Sequence, residues 1–255
     1  MAVVPLDELQ VAESVDNYLQ SVSFRRPPAA VPQRPWVTLS WAQTSDGSIA
    51  QRSGAAAAIS SSESLCITHT LRARHSAILI GINTVLSDNP RLTTRLVNGA
   101  SPRPVVLDSR LRCPPSARIF SEARRDHRPG PVVVTSENAI RRFPATVTSI
   151  TKAGGVVVAA GSEAQIGIDL SDSLSVLYAL GLESVMVEGG GLVLRSFLST
   201  VPVDAMAVTI APHALDGYRP FPWDLVERCR ERLVARRFRV GRDDLLLSVL
   251  PRKDE

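Results

Sequence analysis

The segment Ser184–Ser196, SVMVEGGGLVLRS, constrains the fold more than any other stretch of the chain. It begins with a short apolar run, Val185–Val187, of the kind that forms a buried strand. Glu188 ends this run, glycines follow as far as Gly191, and Leu192–Leu198 is typical of a helix. A strand, a glycine turn and a helix start present bare backbone N–H groups at the carboxyl edge of a sheet. The segment predicts a phosphate or pyrophosphate site, and a tight turn without a ligand is the alternative.

A second dense stretch, Leu79–Arg95 (LIGINTVLSDNPRLTTR), lies far upstream. Its first residues complete a predicted buried strand, and the remainder is predicted to be a loop rich in hydroxyls and turn formers that closes on Arg95. Such a loop suits a sugar-phosphate ligand. An ordinary polar connection with an Asx turn at Asp88 explains the same residues and remains the alternative.

Strands and helices are predicted to alternate along the chain. The predicted strands are Val37–Trp41, Ala77–Ile82, Val105–Leu107, Val132–Val134, Val156–Ala159, Val185–Val187, Ala205–Ile210 and Leu245–Leu250, and the predicted helices are 62–75, 172–181, 192–199 and 223–233. This alternation implies an α/β fold with a mostly parallel central sheet and helices on both faces. The last strands flank Gly241, which predicts an antiparallel hairpin at the C-terminal edge.

An amphipathic helix over Leu6–Val22 and a proline-rich linker precede the first strand. We therefore divide the chain into an N-terminal helical extension and linker, residues 1–34, and a main domain, residues 35–255. A length of 255 residues is sufficient for one sizeable core. No apolar run approaches the length of about 18 residues that a membrane helix needs. The acidic N-terminus also does not resemble a signal peptide.

Composition narrows the possible partners and compartment. The three cysteines are odd in number and lie near no histidine cluster, which predicts neither a disulfide framework nor a metal site and favours a reducing cytoplasm. The net charge of +4 comes largely from arginines between residues 228 and 239. Acidic residues are interleaved there and aromatic residues are only 5% of the chain, so a solvated helix face with internal ion pairs is favoured over a nucleic-acid surface.

Five segments in order carry a resemblance to a known family. They are WVTLSWAQTSDGSIA (36–50), THTLRARHSAILIGINTVLSDNPRLTTR (68–95), PVVLDSRLR (104–112), VMVEGGG (185–191) and DAMAVTIAP (204–212). Together they resemble the pyrimidine reductase of riboflavin biosynthesis, whose fold is similar to dihydrofolate reductase. The resemblance implies an NADPH-dependent reduction of a ribosylaminopyrimidine 5′-phosphate to the ribitylamino compound, by a cytoplasmic enzyme that is a homodimer.

The resemblance also implies roles for individual residues. Residues that match cofactor-binding positions are Thr84, Asp88, Ser109, Gly189, Gly190, Gly191, Leu192 and Val193. Residues that match substrate-binding positions are Arg72, Leu92, Arg95 and Glu188. The arginines suit a 5′-phosphate because a guanidinium can donate two parallel hydrogen bonds to it. Of the two, Arg95 is the stronger candidate, because Arg72 is equally explained as a cation at a helix C-terminus.

The chemistry requires a positioned carboxylate. The ribosylamine must open to an imine, and its C1′ must then lie roughly 3–3.5 Å from the nicotinamide carbon. A carboxylate near the ribose can steer hydroxyls and assist proton transfer, and Glu188 is the predicted catalytic residue. The alternative is that Glu188 caps the helix that follows it. Asp46 is predicted to be structural, in a hairpin turn, and His69, His75, His127 and His213 are predicted to be surface or loop residues.

The sequence departs from the family in two places. Ser40 stands where the bacterial two-domain proteins often have a lysine, and Ala55–Ala58 stand where they favour a Ser-x-Trp pattern. The zinc deaminase signature is absent, so the chain is predicted to be a stand-alone reductase, closer to the fungal and archaeal enzymes that reduce before deamination. A reductase of the same fold acting on a pterin or another imine, and a non-catalytic nucleotide-binding protein, are the alternatives. Whether the pyrimidine is deaminated is left open.

Overall fold

Strands and helices alternate through most of the chain. The computed structural model describes residues 13–15, 17, 34–52, 59–161, 167–231 and 233–250. The strands are β1 (Trp36–Thr44), β2 (Ala77–Gly81), β3 (Arg103–Leu107), β4 (Val132–Thr135), β5 (Val156–Ala159), β6 (Ser184–Val187), β7 (Ala205–Ala211), β8 (Val234–Val240) and β9 (Asp243–Val249). The helices are α1 (Ser62–Ala73), α2 (Ile82–Asp88), α3 (Arg118–Arg125), α4 (Glu137–Arg142), α5 (Pro144–Lys152), α6 (Leu170–Ala179), α7 (Gly191–Thr200) and α8 (Trp223–Arg230).

The strands form one nine-stranded sheet in the order β5-β4-β3-β2-β6-β1-β7-β9-β8. All neighbours from β5 across to β7 pair in parallel. At the other edge, β9 pairs antiparallel with both β7 and β8. The predicted fold class, a mostly parallel sheet with an antiparallel C-terminal edge hairpin, is confirmed.

Apolar side chains fill both faces of this sheet. On β2, Leu79 packs into the cluster that holds Phe197 of α7, whereas Ile78 packs into the cluster that holds Phe120 of α3. Successive side chains on a strand point to opposite faces, so a strand covered on both sides must be apolar throughout. Burial on both faces therefore explains why the sequences of the central strands are continuously apolar.

The register of the parallel strands brings their carboxyl ends together. Val187 of β6 pairs with Leu39 of β1 on one side and with Leu79 of β2 on the other. The next residue, Glu188, donates its backbone N–H to the carbonyl of Leu79 at 3.0 Å. Residues that follow β1, β2 and β6 are thus gathered at one edge of the sheet, which is where ligands bind in open α/β sheets.

Several elements differ from the predictions. Helix α2 replaces the last residue of a predicted strand, Ile82, and residues 83–88 of a predicted loop, and it ends at Asn89 in the left-handed conformation (φ 42°). Helices α3, α4 and α5 were not predicted. The arginines assigned to a C-terminal helix face are divided, because α8 ends at Arg230 and residues 236, 237 and 239 lie on strand β8.

Two further predictions concern polar residues. His69 and His75 were predicted to be surface or loop residues. This was wrong for His69, which is buried on α1, whereas His75 lies in the connection between α1 and β2, where it is buried. The Asp46 turn is not a hairpin, since both neighbours of β1 are parallel to it. Asp46 instead accepts backbone hydrogen bonds from Leu215 and Asp216, and these tie the turn to the segment after β7.

The N-terminal extension is described only in part. Residues 13–15 and 17 are helical, as predicted, and Val15 is buried in the cluster that contains Trp36 and Ile67. The rest of the predicted helix, and the tract Ala55–Ala58, lie outside the described residues, and the division at residue 34 stays a prediction. Among the described helices, none is long and apolar enough to cross a membrane.

Candidate active site

A cleft of about 810 Å³ runs along the carboxyl edge of the sheet. Its walls are the ends of the central strands, one face of α1, helix α2 and the turn into α7. Three large apolar side chains on it, Leu65, Leu86 and Leu192, are 44%, 48% and 66% exposed. Exposed apolar groups gathered in a concave site indicate a surface that a ligand covers.

The three glycines after Glu188 lack a side chain for different structural reasons. A Cβ on Gly189 would lie 2.5 Å from the Val193 side chain, and one on Gly191 would lie 2.2 Å from Pro220. A Cβ on Gly190 would meet only the Thr84 hydroxyl, at 3.9 Å, because it would project into the cleft. Gly190 has φ −65°, so it needs no unusual backbone angle. Its lack of a side chain keeps open a space beside the backbone, and that space suits a pyrophosphate.

The start of α7 presents unused donors to this space. Gly190 is the N-cap residue, and its carbonyl accepts hydrogen bonds from the amides of Val193 and Leu194. Among the described residues, the amides of Gly190, Gly191 and Leu192 donate to no partner. Free amides at a helix N-terminus, together with the helix dipole, favour an anion. The predicted glycine turn, Gly189–Gly191, therefore has a geometry that suits a cofactor's phosphates. We call this turn the glycine cradle.

Helix α2 forms the wall opposite the glycine turn. Thr84 and Asp88, both predicted to bind the cofactor, line the cleft, as do Leu192 and Val193. Ser109 does not: it is exposed in the turn after β3 and lines neither the cleft nor the neighbouring cavity. The structure thus brings together every predicted cofactor residue except Ser109.

Glu188 and Arg72 form a bidentate ion pair at the centre of the site. Arg72 Nε donates to Glu188 Oε1 at 2.7 Å and Nη2 donates to Oε2 at 2.6 Å. The two side chains are 13% and 16% exposed. Burial lowers the pKa of Arg72, but the charge and hydrogen bonds of Glu188 outweigh burial and raise it. The pair therefore holds the carboxylate in one orientation at the end of β6, where it lines the cleft.

The contacts of this pair bear on two interpretations of the sequence. Glu188 does not cap α7, which has no side-chain cap, and its carboxylate is held by Arg72 instead. The fork of Arg72 was expected to grip a phosphate, but both of its bidentate donors bind Glu188, and Nη1 donates to the Thr93 carbonyl at 3.2 Å. Arg72 therefore positions the carboxylate and the loop that carries Thr93.

A second cavity of about 400 Å³ lies on the other side of Arg72. It is lined by Arg72, Pro90, Arg91, Leu92, Arg95 and Arg118. Burial and the positive charges of the other arginines lower the pKa of Arg95, which shows how closely the cations are gathered. We call this cavity the arginine pocket. Its concentration of guanidinium groups suits a phosphate monoester.

Two members of the arginine pocket were missed in the sequence. Arg118 opens helix α3, and its backbone amide donates to the Asn89 side chain at 2.8 Å, which brings α3 against the end of α2. Arg91 follows α2 and pairs with Glu122 of α3 at 3.5 Å. A prediction of α3 beside the loop would have been needed to find them. Arg95 and Leu92, which were predicted, both line the pocket.

Comparison with known proteins finds a family model and several relatives of this chain. The family model described as the RibD C-terminal domain matches residues 35–227. The 2,5-diamino-6-ribosylamino-4(3H)-pyrimidinone 5′-phosphate reductase of Methanothermobacter thermautotrophicus is 40% identical over 72% of this chain and 81% of its own length. The protein of that name from Archaeoglobus fulgidus is 36% identical, over 72% and 83%. The riboflavin biosynthesis protein RibD of Aquifex aeolicus is 36% identical, but this chain spans only 47% of it.

Solved structures agree on the fold. The riboflavin biosynthesis reductase Rib7 of Saccharomyces cerevisiae has a TM-score of 0.69 at 22% identity and covers 93% of this chain and 99% of its own. A deaminase/5-amino-6-(5-phosphoribosylamino)uracil reductase from Thermotoga maritima has a TM-score of 0.63 at 26% identity, over 85% of this chain and 57% of its own.

Proposed function

Because the chain belongs to the RibD C-terminal domain family, we propose that it is an oxidoreductase that reduces a ribosylaminopyrimidine 5′-phosphate to its ribitylamino product with NADPH, in riboflavin biosynthesis. The relatives of comparable length are named as reductases of the 2,5-diamino-4(3H)-pyrimidinone compound. We therefore propose the pyrimidine that has not been deaminated as the substrate. A homodimer and a cytoplasmic location, which the resemblance implies, belong to the same proposal.

The observation that carries the proposal is the position of Glu188 between two anion sites. The glycine cradle lies on one side of it along the cleft, and the arginine pocket lies beyond Arg72 on the other. Arg72 lines both cavities, so the two are adjacent. A phosphorylated sugar held in the arginine pocket has its ribose near Glu188, and a dinucleotide held by the cradle lies along the rest of the cleft.

In this proposal, different residues bind the cofactor, bind the substrate and transfer the proton. The bound cofactor supplies the hydride, and the protein supplies orientation and electrostatics. Thr84, Asp88 and the amides around Gly190 hold the cofactor's phosphate and ribose groups. Arg95 and Arg118 hold the 5′-phosphate. Glu188 accepts hydrogen bonds from the ribose hydroxyls and moves a proton as the sugar ring opens.

Direct assay tests this function. We expect the purified protein to oxidise NADPH in the presence of the diamino-pyrimidinone phosphate, more slowly with the deaminated compound, and not with either pyrimidine lacking phosphate. NADPH oxidation with a pterin and not with the phosphates would favour a different reductase of this fold. Binding without turnover would favour a nucleotide-binding protein.

Cofactor preference can be measured by fluorescence. Trp41 lines the cleft, so its emission should change when the nicotinamide nucleotide binds. We expect NADPH to bind more tightly than NADH in parallel titrations, because a protein with 29 lysines and arginines readily supplies a partner for the 2′-phosphate. Equal affinities would contradict the proposed preference.

Substitutions in the arginine pocket should affect substrate binding and leave cofactor binding unchanged. Replacing Arg95 or Arg118 by alanine removes charge-assisted hydrogen bonds to the phosphate and should raise KM for the substrate by about 10- to 100-fold. The dissociation constant of NADPH should change by less than about twofold in both variants, since neither arginine lines the cleft. Arg124→Ala, an exposed arginine also on α3, is the matched control. Loss of NADPH binding with an unchanged KM would show that the pocket holds the cofactor.

A further inference from the structure

A buried histidine lies behind the arginine pocket. His69 is on helix α1, one turn before Arg72, and only 1% of its surface is exposed. Its Nδ1 accepts a hydrogen bond from the backbone N–H of Arg95 at 3.0 Å, and the N–H of Leu96 lies 3.4 Å from the same atom. His69 therefore binds the main chain of the loop at the residue whose side chain lines the pocket.

These contacts fix the tautomer of the ring. A nitrogen that accepts from backbone N–H groups carries no proton, so the proton of the neutral ring is on Nε2. Arg72 Nη1 lies 3.4 Å from Nε2 and is itself a donor, so this contact is not a hydrogen bond when the proton is on Nε2. A second proton on the ring would be on Nδ1, where it would face the backbone N–H groups of Arg95 and Leu96 and break both contacts. Only the neutral ring, with a bare Nδ1, can anchor Arg95.

The charges around His69 maintain this neutral state. Burial, and then the positive charges of Arg72 and Arg95, lower the pKa of His69 to about 4. Arg72 faces the ring from α1 and Arg95 from the loop. The carboxylate near them is that of Glu188, which follows β6 and is paired with Arg72. The ring therefore stays an acceptor at neutral pH.

We infer that His69 is a positioning residue for substrate binding, whose unprotonated Nδ1 holds the backbone of Arg95 so that the Arg95 guanidinium faces the phosphate. His69 and Arg72 act together here, since Arg72 also donates to the Thr93 carbonyl of the same loop. One turn of α1 thus fixes the loop at two points of its main chain. The inference rests on the proposed function, because it assigns the occupant of the pocket as the phosphate of the substrate.

A pair of substitutions isolates the accepting atom. The Oδ1 of asparagine can occupy the place of Nδ1, whereas the amide of glutamine reaches the place of Nε2. We expect His69→Asn to keep KM for the phosphorylated pyrimidine within about threefold and His69→Gln to raise it by about tenfold or more, with kcat changed by less than about threefold in both. His127→Asn is the control, since His127 is exposed and its φ of 51° suits asparagine.

The tautomer is measured in the unaltered protein, so the test does not depend on the variants folding. His75 is the internal reference: its Nδ1 lies 2.7 Å from the Leu71 carbonyl and must carry the proton, which is the opposite assignment. Nitrogen NMR of the ¹⁵N-histidine-labelled protein should show one buried ring of each kind. A protonated Nδ1 on His69, equal KM values for the Asn and Gln variants, or a fall in kcat without a change in KM would overturn the inference.

Inorganic phosphate separates this inference from the proposed reaction. If the protein does not turn over either pyrimidine phosphate, the reductase proposal fails, and calorimetric titration with inorganic phosphate then replaces KM as the measure. We expect the same order, with native and His69→Asn proteins similar and His69→Gln at least about tenfold weaker. If the native protein binds neither the substrate nor phosphate, or if all the proteins bind phosphate equally, the positioning role is wrong.

Discussion

Glu188→Gln should lower kcat by about 100-fold or more, because it removes the carboxylate that lines the cleft beside the arginine pocket. The same change leaves Arg72 as a buried guanidinium without its counter-charge. Breaking a buried ion pair from one side costs about 3 kcal/mol, so the free energy of unfolding should fall by that amount. Steady-state kinetics and urea denaturation measure the two effects.

Controls separate catalysis from stability. Glu183→Gln alters an exposed glutamate just before β6 and should leave both quantities unchanged. The double variant Arg72→Gln/Glu188→Gln removes both charges, so most of the lost stability should return while turnover stays low. Turnover within about threefold of the native value in a folded Glu188→Gln protein would show that the carboxylate is not catalytic.

Gly190→Val should weaken NADPH binding by about 100-fold or more while the protein stays folded. A Cβ at this position meets nothing nearer than the Thr84 hydroxyl at 3.9 Å, and the backbone angle (φ −65°) is one that any residue adopts. The branched side chain therefore has room within the protein, but it fills the space that the cofactor's phosphates need. Fluorescence titration with NADPH and a thermal melt measure the two properties.

Gly181 serves as the matched control, because its substitution should lower stability and leave NADPH binding unchanged. A Cβ on Gly181 would also meet open space, but the φ of this residue is +78° and it lies outside the cleft. Gly181→Ala should cost about 1 kcal/mol in stability through backbone strain and leave NADPH affinity unchanged. If Gly190→Val bound NADPH as tightly as the native protein, the cradle would not be the phosphate site.

The centre of the sheet could be predicted because its strands are covered on both faces. Runs such as Val132–Val134 and Val185–Val187 are apolar and largely β-branched, and this is the pattern of a buried parallel strand. The glycine turn was equally visible, since a strand followed by glycines and a helix has few other solutions. These features are local in sequence, so a single segment carries the whole signal.

Helix α2 and the two buried histidines could not be predicted in the same way. The residues of α2 include Thr84, Ser87 and Asp88, which favour turns, and the helix buries only Ile82 and Val85. His69 sits among buried positions of α1 that also include a serine, so no apolar periodicity marks that face. Its burial is explained by hydrogen bonds to a distant loop, and those contacts have no local sequence pattern.

The sequence could not identify every arginine of the pocket, for a related reason. Arg95 was predicted from its loop, but Arg118 joins it only because α3 packs beside the end of α2 through Asn89. The fork between Arg72 and Glu188 likewise depends on the register of β2 against β6. Which charged groups meet is decided by tertiary structure, and the same guanidinium suits a phosphate or a carboxylate equally well.

The central position of β1 determines the order in which the protein can be completed during synthesis. Of the described strands, β1 is the first to leave the ribosome, yet both of its neighbours, β6 and β7, belong to the last third of the chain. Contacts of such large sequence separation form slowly, and until they form, both edges of an apolar strand stay unpaired. A nascent or truncated chain that stops before β6 therefore lacks Glu188 and exposes an aggregation-prone strand. The segment that supplies Glu188 therefore also supplies the first of the two strands that pair with β1.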